Sequence, residues 1–196
     1  MKQGFVKVAS ATPRIRVADP VYNAQVICEQ AKEAAEHGAK IVVFPELCIT
    51  GYTCNDLFLQ ELLLEKAKEA LLTIAEETGQ LETLFLVGLP VDKDGRLYNV
   101  AAVLYRGRIL GMIPKKNIPM YAEFYEGRHF TPGEETVTEY RLGKQVIPFG
   151  SNLLFRCEEL PELILGCELC EDLWVAEPPS TSHALMGATV IADRKS

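Results

Sequence analysis

Long apolar runs are missing from this sequence, and so is any concentration of positive charge. No stretch approaches the roughly 20 consecutive apolar residues of a helical membrane span, so no membrane role is expected. The opening MKQGFVKVASATPRI has one early lysine but no apolar block behind it, and reads as an amphipathic strand rather than a secretory leader. The 20 Lys and Arg are scattered among 27 Asp and Glu, for a formal net charge of -7. Without a basic stripe, nucleic acid is not an expected partner. Internal repeats and low-complexity tracts are absent too, which leaves one folded unit as the simplest organisation.

What is present is a hydrophobic fraction of 48% in 196 residues, enough to bury one good core. Six cysteines, Cys28, Cys48, Cys54, Cys157, Cys167 and Cys170, could pair. A chain with such a core does not need covalent staples, so reduced thiols and a cytoplasmic setting are expected.

The apolar pattern alternates between strands and helices. GFVKVASATP reads as a short strand, followed by a helix over DPVYNAQVICEQAKEAAEHGAK with Asp19 as N-cap, Pro20 in its first turn and Gly38 as its stop. IVVFPE is a continuous apolar run suited to a strand covered on both faces. One or two amphipathic helices are expected from Asn55 to Gly79, then a buried strand over TLFLVGLP and a turn over VDKDGRL. LYNVAAVLYRGRILGMIPK reads as two strands joined at Arg106 and Gly107. Between Lys115 and Glu135 the periodicity stops in favour of aromatic and charged residues, the mark of an ordered functional loop. Short strands around Val137 to Tyr140, Val146 to Ile147 and Leu153 to Phe155 lead to a strand over ELILGCELC. A helix from Ser180 to Met186 and a strand at ATVIAD close the pattern. Such a mixture implies a sheet-based α/β core flanked by helices.

Three demanding residues sit just past apolar strands: Glu46 in VVFPELCITGY, Lys115 in GMIPKKNIPMY, and Cys170 in LILGCELCEDLW. They offer a base, a cation and a nucleophile. Cys170 is followed by Glu171 and Asp172, whose negative charge opposes thiolate formation, so a cation nearby is expected. Taken singly, each has a plainer reading. Glu46 after Pro45 caps a turn, Lys115 is a solvated lysine, and Cys170 is a small buried hydrophobe. Cys167 and Cys170 could also form a redox pair.

The flanking sequence resembles the nitrilase, or carbon-nitrogen hydrolase, superfamily along nearly the whole chain. FPELCITGY is similar to its glutamate motif, PKKNIP to its lysine motif and CEDLW to its cysteine motif, in the family's order. PKKNIPMYAEFYEGRHFTPG and CEDLWVAEPPS resemble more narrowly the glutaminase domains of glutamine-dependent NAD synthetases. The resemblance implies an α-β-β-α sandwich, with Cys170 as nucleophile, Glu46 as general base, Lys115 as oxyanion cation and Glu126 as a supporting glutamate. Tyr52, Tyr121, Phe124 and Glu171 fall where those enzymes shape the glutamine pocket. Ordinary loop packing is the alternative for Tyr121 and Phe124.

The same resemblance implies no cofactor for this part, and ATP and magnesium for a synthetase half. No SGG-type ATP pyrophosphatase loop occurs in these residues. The family continues past the cysteine with further strands, where this chain ends at ATVIADRKS, so a sandwich incomplete at its carboxyl end and a tendency to form homo-oligomers are expected. Lys115 and Lys116 are adjacent, and the motif register favours Lys115. Three functions stay open: a glutaminase part of an NAD synthetase, a free-standing amidase acting on another small amide, and a chain that only associates with partners.

Overall fold

The structure, a computed structural model, describes residues 4–194. A seven-stranded sheet is built from β1 (Val8–Ser10), β2 (Ile41–Val43), β3 (Leu84–Lys93), β4 (Arg96–Tyr105), β5 (Arg108–Pro114), β6 (Thr138–Leu142) and β7 (Gln145–Phe149), in the order β1-β2-β3-β4-β5-β7-β6. A three-stranded sheet, β10-β9-β8, is made by β8 (Phe155–Arg156), β9 (Ile164–Leu169) and β10 (Val190–Arg194). Helices α1 (Pro20–Glu36) and α2 (Glu61–Glu77) belong to the first sheet, and the short α3 (Pro179–Leu185) to the second.

Period-two alternation in the strands sorts side chains into two cores. Phe85, Val87 and Leu89 of β3 pack with Ile27 of α1 and Leu71 and Ile74 of α2. Leu86, Ala101, Val103 and Ile113 turn the other way and meet Leu165, Cys167 and Leu169 of β9. On the far face of β9, Gly166 leaves room for His183 of α3, and the Glu168 carboxylate accepts the Ser180 N–H at 3.0 Å. The layers are therefore α, β, β, α, as expected.

The α1 signals act as read: Asp19 accepts the Tyr22 N–H at 3.1 Å, and Gly38 leaves the helix at φ +82. The turn expected over VDKDGRL is tighter than its residues suggest. Only Asp94 and Gly95, at φ +54 and +73, reverse the chain, so β3 and β4 reach ten residues each. The strands expected at Val137, Val146 and Leu153 are present with shifted limits, the last displaced to Phe155–Arg156.

One irregularity in β5 shapes everything beyond it. Val103 pairs with Gly111 and Leu104 with Ile109, so Leu110 is an extra residue, a β-bulge. Before it Ile109 faces the helices, and after it Met112 does; Ile113 is thereby turned toward the second sheet. Continuing that alternation, Lys115 points between the sheets rather than at α2.

Gly88 in β3 is placed where a Cβ would lie 2.4 Å from the Leu47 nitrogen and 2.8 Å from the Pro45 oxygen. Neither backbone atom can yield without moving the turn between them. Gly88→Ala is therefore expected to destabilise the fold by about 2 kcal/mol or more, as overpacking against backbone does. Urea denaturation checks this.

Candidate active site

The ends of β2, β5 and β9 meet at one edge of the space between the sheets. Glu46 lies in the turn after β2, and the next residue, Leu47, adopts φ +52. Lys115 follows β5 and extends its ladder, its N–H bonding to the Asn99 oxygen at 2.8 Å. Its side chain is fully buried and donates to Glu46 Oε1 at 2.9 Å and Glu126 Oε1 at 2.7 Å. The Asn99 amide also donates to Glu46 Oε1, and the Tyr52 hydroxyl donates to Glu126 Oε1 at 2.7 Å.

Two carboxylates thus share one ammonium away from water. Burial alone would lower the Lys115 pKa, but the charges of Glu46 and Glu126 outweigh it and raise the pKa. Burial pushes the Glu46 carboxyl up despite the opposing Lys115 charge, and Glu126 adds to the rise. Oε2 of Glu46 and Oε2 of Glu126 accept no hydrogen bond among the described residues. Buried carboxylate oxygens left in that state are available to a proton or a substrate.

Cys170 follows β9 directly, in a left-handed conformation, φ +48, which for a non-glycine residue costs of order 1–3 kcal/mol and clusters at functional sites. Its N–H donates to Asp193 Oδ1 at 3.2 Å. The thiol is half-buried and within electrostatic reach of both Tyr52 and Tyr121. Tyr52 in turn holds Glu126, so the Cys170 thiol, the Lys115 ammonium and the two carboxylates lie in one region. Lys115 is the buried cation of this region.

Asp172 explains why the turn stays in place. One of its oxygens accepts the Asn117 N–H at 2.7 Å and the Asn117 amide at 2.9 Å. The other accepts the Leu169 N–H at 3.1 Å and the Lys116 N–H at 3.4 Å. A single buried carboxylate therefore staples the end of β9 to the residues after Lys115. Glu171, next to it, is half-buried and accepts the Tyr121 hydroxyl at 2.7 Å; Phe124 packs edge-on to Tyr121, with ring centroids 5.6 Å apart.

All eight residues singled out in the sequence occupy this region. Lys116 does not compete with Lys115, because it pairs with Glu135 near the surface. Cys167 and Cys170 are not joined by a disulfide, and Cys167 lies in the inter-sheet core with burial pushing its pKa up to about 12. Burial also raises Cys28, to about 11, and Cys48 and Cys54. Asn99, Asp172, Asp193 and Arg194 were not foreseen. Asn99 had a signal, as the lone amide within an apolar strand; Asp193 and Arg194 had none, because their partners are distant in sequence.

The fold and this cluster define a nitrilase-type hydrolase architecture. The sequence matches the carbon-nitrogen hydrolase family over residues 7–195, and the chain belongs to that family. It is 41% identical over 192 residues to a glutamine-dependent NAD(+) synthetase of Mycobacterium tuberculosis, covering 98% of this chain and 28% of that protein. A glutamine-dependent NAD(+) synthetase of Mycobacterium leprae is 40% identical over 191 residues, with 97% of this chain and 28% of that protein covered. The chain thus spans less than a third of these relatives' length. Among solved structures, a glutamine-dependent NAD(+) synthetase from Cytophaga hutchinsonii superposes with a TM-score of 0.85 at 28% identity, covering 97% of this chain and 30% of that one. An amidase from Nesterenkonia shares the fold, with a TM-score of 0.71 at 22% identity over 97% of this chain and 64% of that one.

Removing the Asp172 staple leaves three backbone N–H groups without their acceptor. Asp172→Ala is expected to destabilise the protein by about 3 kcal/mol, from the cost of buried unsatisfied donors. A fall of that size in denaturant unfolding confirms it; an unchanged midpoint contradicts it.

Proposed function

We propose that this chain is the glutamine-hydrolysing part of a glutamine-dependent NAD synthetase. The observation that carries the reading is the buried Glu46–Lys115–Glu126 network beside Cys170, in a chain similar to those synthetases over nearly its full length. Cys170 Sγ attacks the side-chain amide carbon of glutamine as Glu46 takes the thiol proton. The tetrahedral oxyanion is held by the Lys115 ammonium and a backbone N–H after the cysteine. Glu46 then gives its proton to the departing nitrogen, which leaves as ammonia, and a thioester remains. Water, deprotonated by the same carboxylate, cleaves that thioester to glutamate and restores the thiol.

The other residues have supporting roles in this scheme. Glu126 keeps Lys115 charged and directed, and the Tyr52 hydroxyl fixes Glu126. Tyr121 and Phe124 wall the pocket, and the Glu171 carboxylate meets the substrate's α-ammonium, which gives the awkward acid beside Cys170 a purpose. Released ammonia would be consumed by ATP- and magnesium-dependent amidation in the remainder of such a synthetase. Neither ATP nor magnesium is assigned to residues of this chain, and among the described residues no cluster of three His, Cys, Asp or Glu could hold a metal ion. A cytoplasmic setting and a homo-oligomer complete the proposal. No described helix is long and apolar enough to cross a membrane.

A glutamine-like electrophile is expected to label Cys170 and to spare Cys157, the other half-buried thiol. Peptide mapping by mass spectrometry reads this directly, and an adduct on Cys167 or Cys48 would overturn the assignment. Because Glu46 is raised above its ordinary 4.5, protonation disables the base at higher pH than usual. The acid limb of thioester formation is therefore expected above pH 4.5 and lost in Glu46→Gln. Glu171→Gln should raise KM for glutamine about tenfold with little change in kcat, since it removes binding common to ground and transition states. A panel of aliphatic amides separates glutamine from other substrates: equal rates on simple amides would favour a general amidase, and no thioester with any amide a non-catalytic chain.

A further inference from the structure

Arg194 is a large cation at 1% exposure, and no described ion pair gives it a carboxylate partner. Its guanidinium instead meets two backbone carbonyls far away in sequence. Nε donates to the Phe44 oxygen at 2.9 Å and Nη2 to the Pro45 oxygen at 2.7 Å. No other described hydrogen bond reaches those two carbonyls. The space it occupies is opened by Gly88, where a Cβ would stand 2.7 Å from Nη2. Burying a guanidinium for two neutral acceptors is expensive, and such an arrangement calls for a reason beyond stability.

The reason lies in what Arg194 connects. Its backbone pairs with Leu169 in the β9–β10 ladder, one residue before Cys170. Its neighbour Asp193 accepts the Cys170 N–H. Its side chain crosses between the sheets to the residue just before Glu46. The end of β10 therefore grips the thiol-bearing turn with one residue and the carboxylate-bearing turn with the next.

Electrostatic influence on Glu46 does not explain the arrangement. The groups that shift Glu46 are Lys115, Glu126 and Asn99, whereas the Arg194 charge acts on the thiols of Cys48 and Cys167. We propose that Arg194 is a positioning residue, which sets the separation of Glu46 from the Cys170 thiol by tying the Phe44 and Pro45 carbonyls to the strand beside Cys170. The inference rests on Glu46 serving Cys170 as its base, as the proposed function holds.

The test is the rate of Cys170 alkylation by iodoacetamide across pH 5 to 10, read at the Cys170 peptide by mass spectrometry in the full chain. Wild type, Glu46→Gln, Arg194→Met and Arg194→Lys are compared, with thermal unfolding of each. Arg194→Met keeps an unbranched stem that reaches as far as Nε, and it loses the guanidinium and both hydrogen bonds. It is expected to move the midpoint of the profile toward that of Glu46→Gln by about one pH unit, a tenfold change in thiolate at a given pH. Arg194→Lys, which keeps the cation but can serve only one carbonyl well, should fall between Met and wild type.

Three results overturn the proposal. Arg194→Met with the wild-type profile and only a lower melting temperature makes the residue purely structural. Complete restoration by Arg194→Lys makes its effect one of charge. A Glu46→Gln profile identical to wild type removes the base itself, and the proposed function falls with it. The first two leave that function standing.

Discussion

The buried ammonium of Lys115 is the constraint on which the rest of the site depends. A lysine withdrawn from water is tolerated only when paired, and removing one member of such a buried pair typically costs about 3–5 kcal/mol. Glu46 and Glu126 satisfy that demand from two separate segments, so folding cannot bury Lys115 without bringing both there. The carboxylate surplus that follows is chemically useful. Burial, with one cation shared by two acids, leaves the Glu46 carboxyl with raised proton affinity.

Around that centre the scaffold fixes each turn by a different device. The turn after β2 is admitted by Gly88 and gripped by Arg194. The turn after β9 is stapled by Asp172 and held through Asp193. The loop bearing Glu126 is joined to the segment after Gly51 by the Tyr52 hydroxyl and, farther out, by Arg128, which pairs with Asp56 at 2.8 Å. Leu47 and Cys170 both sit at positive φ without being glycine. Left-handed backbone is thus found beside Glu46 and at Cys170, as it is at Ala18, Asn55, Asp94, Arg106 and Ala122, and the surrounding bonds hold it at these two turns.

Much of this was legible in the sequence because the signals were local. Apolar runs ending in Glu46, Lys115 and Cys170 marked strand ends, and caps such as Asp19 and Gly38 marked α1. The motifs around those residues ranked them above their plainer readings. Long-range partners were less visible. Asp172 looked like one more acid hindering Cys170, and only the folded chain brings Asn117 and Lys116 to it. Arg194 lay in an ending, DRKS, with no evident purpose, because its acceptors are 149 and 150 residues earlier. Backbone carbonyls carry no side-chain signature, so no inspection of residue types could have found them.

The bulge at Leu110 makes the spacing between β5's start and Lys115 a matter of counting as well as chemistry. Substitutions at Leu110 or Gly111 alter packing by degrees. Ironing the bulge out at constant length would have an all-or-none result, since a regular ladder from Ile109 onward shifts the register by one and turns every later side chain to the other side. Lys115 would then be offered to the helices and Pro114 to the gap between the sheets, in a domain whose sheets would still look intact by circular dichroism. In lineages that keep this chemistry, the extra residue and the bulge should therefore be kept or lost together.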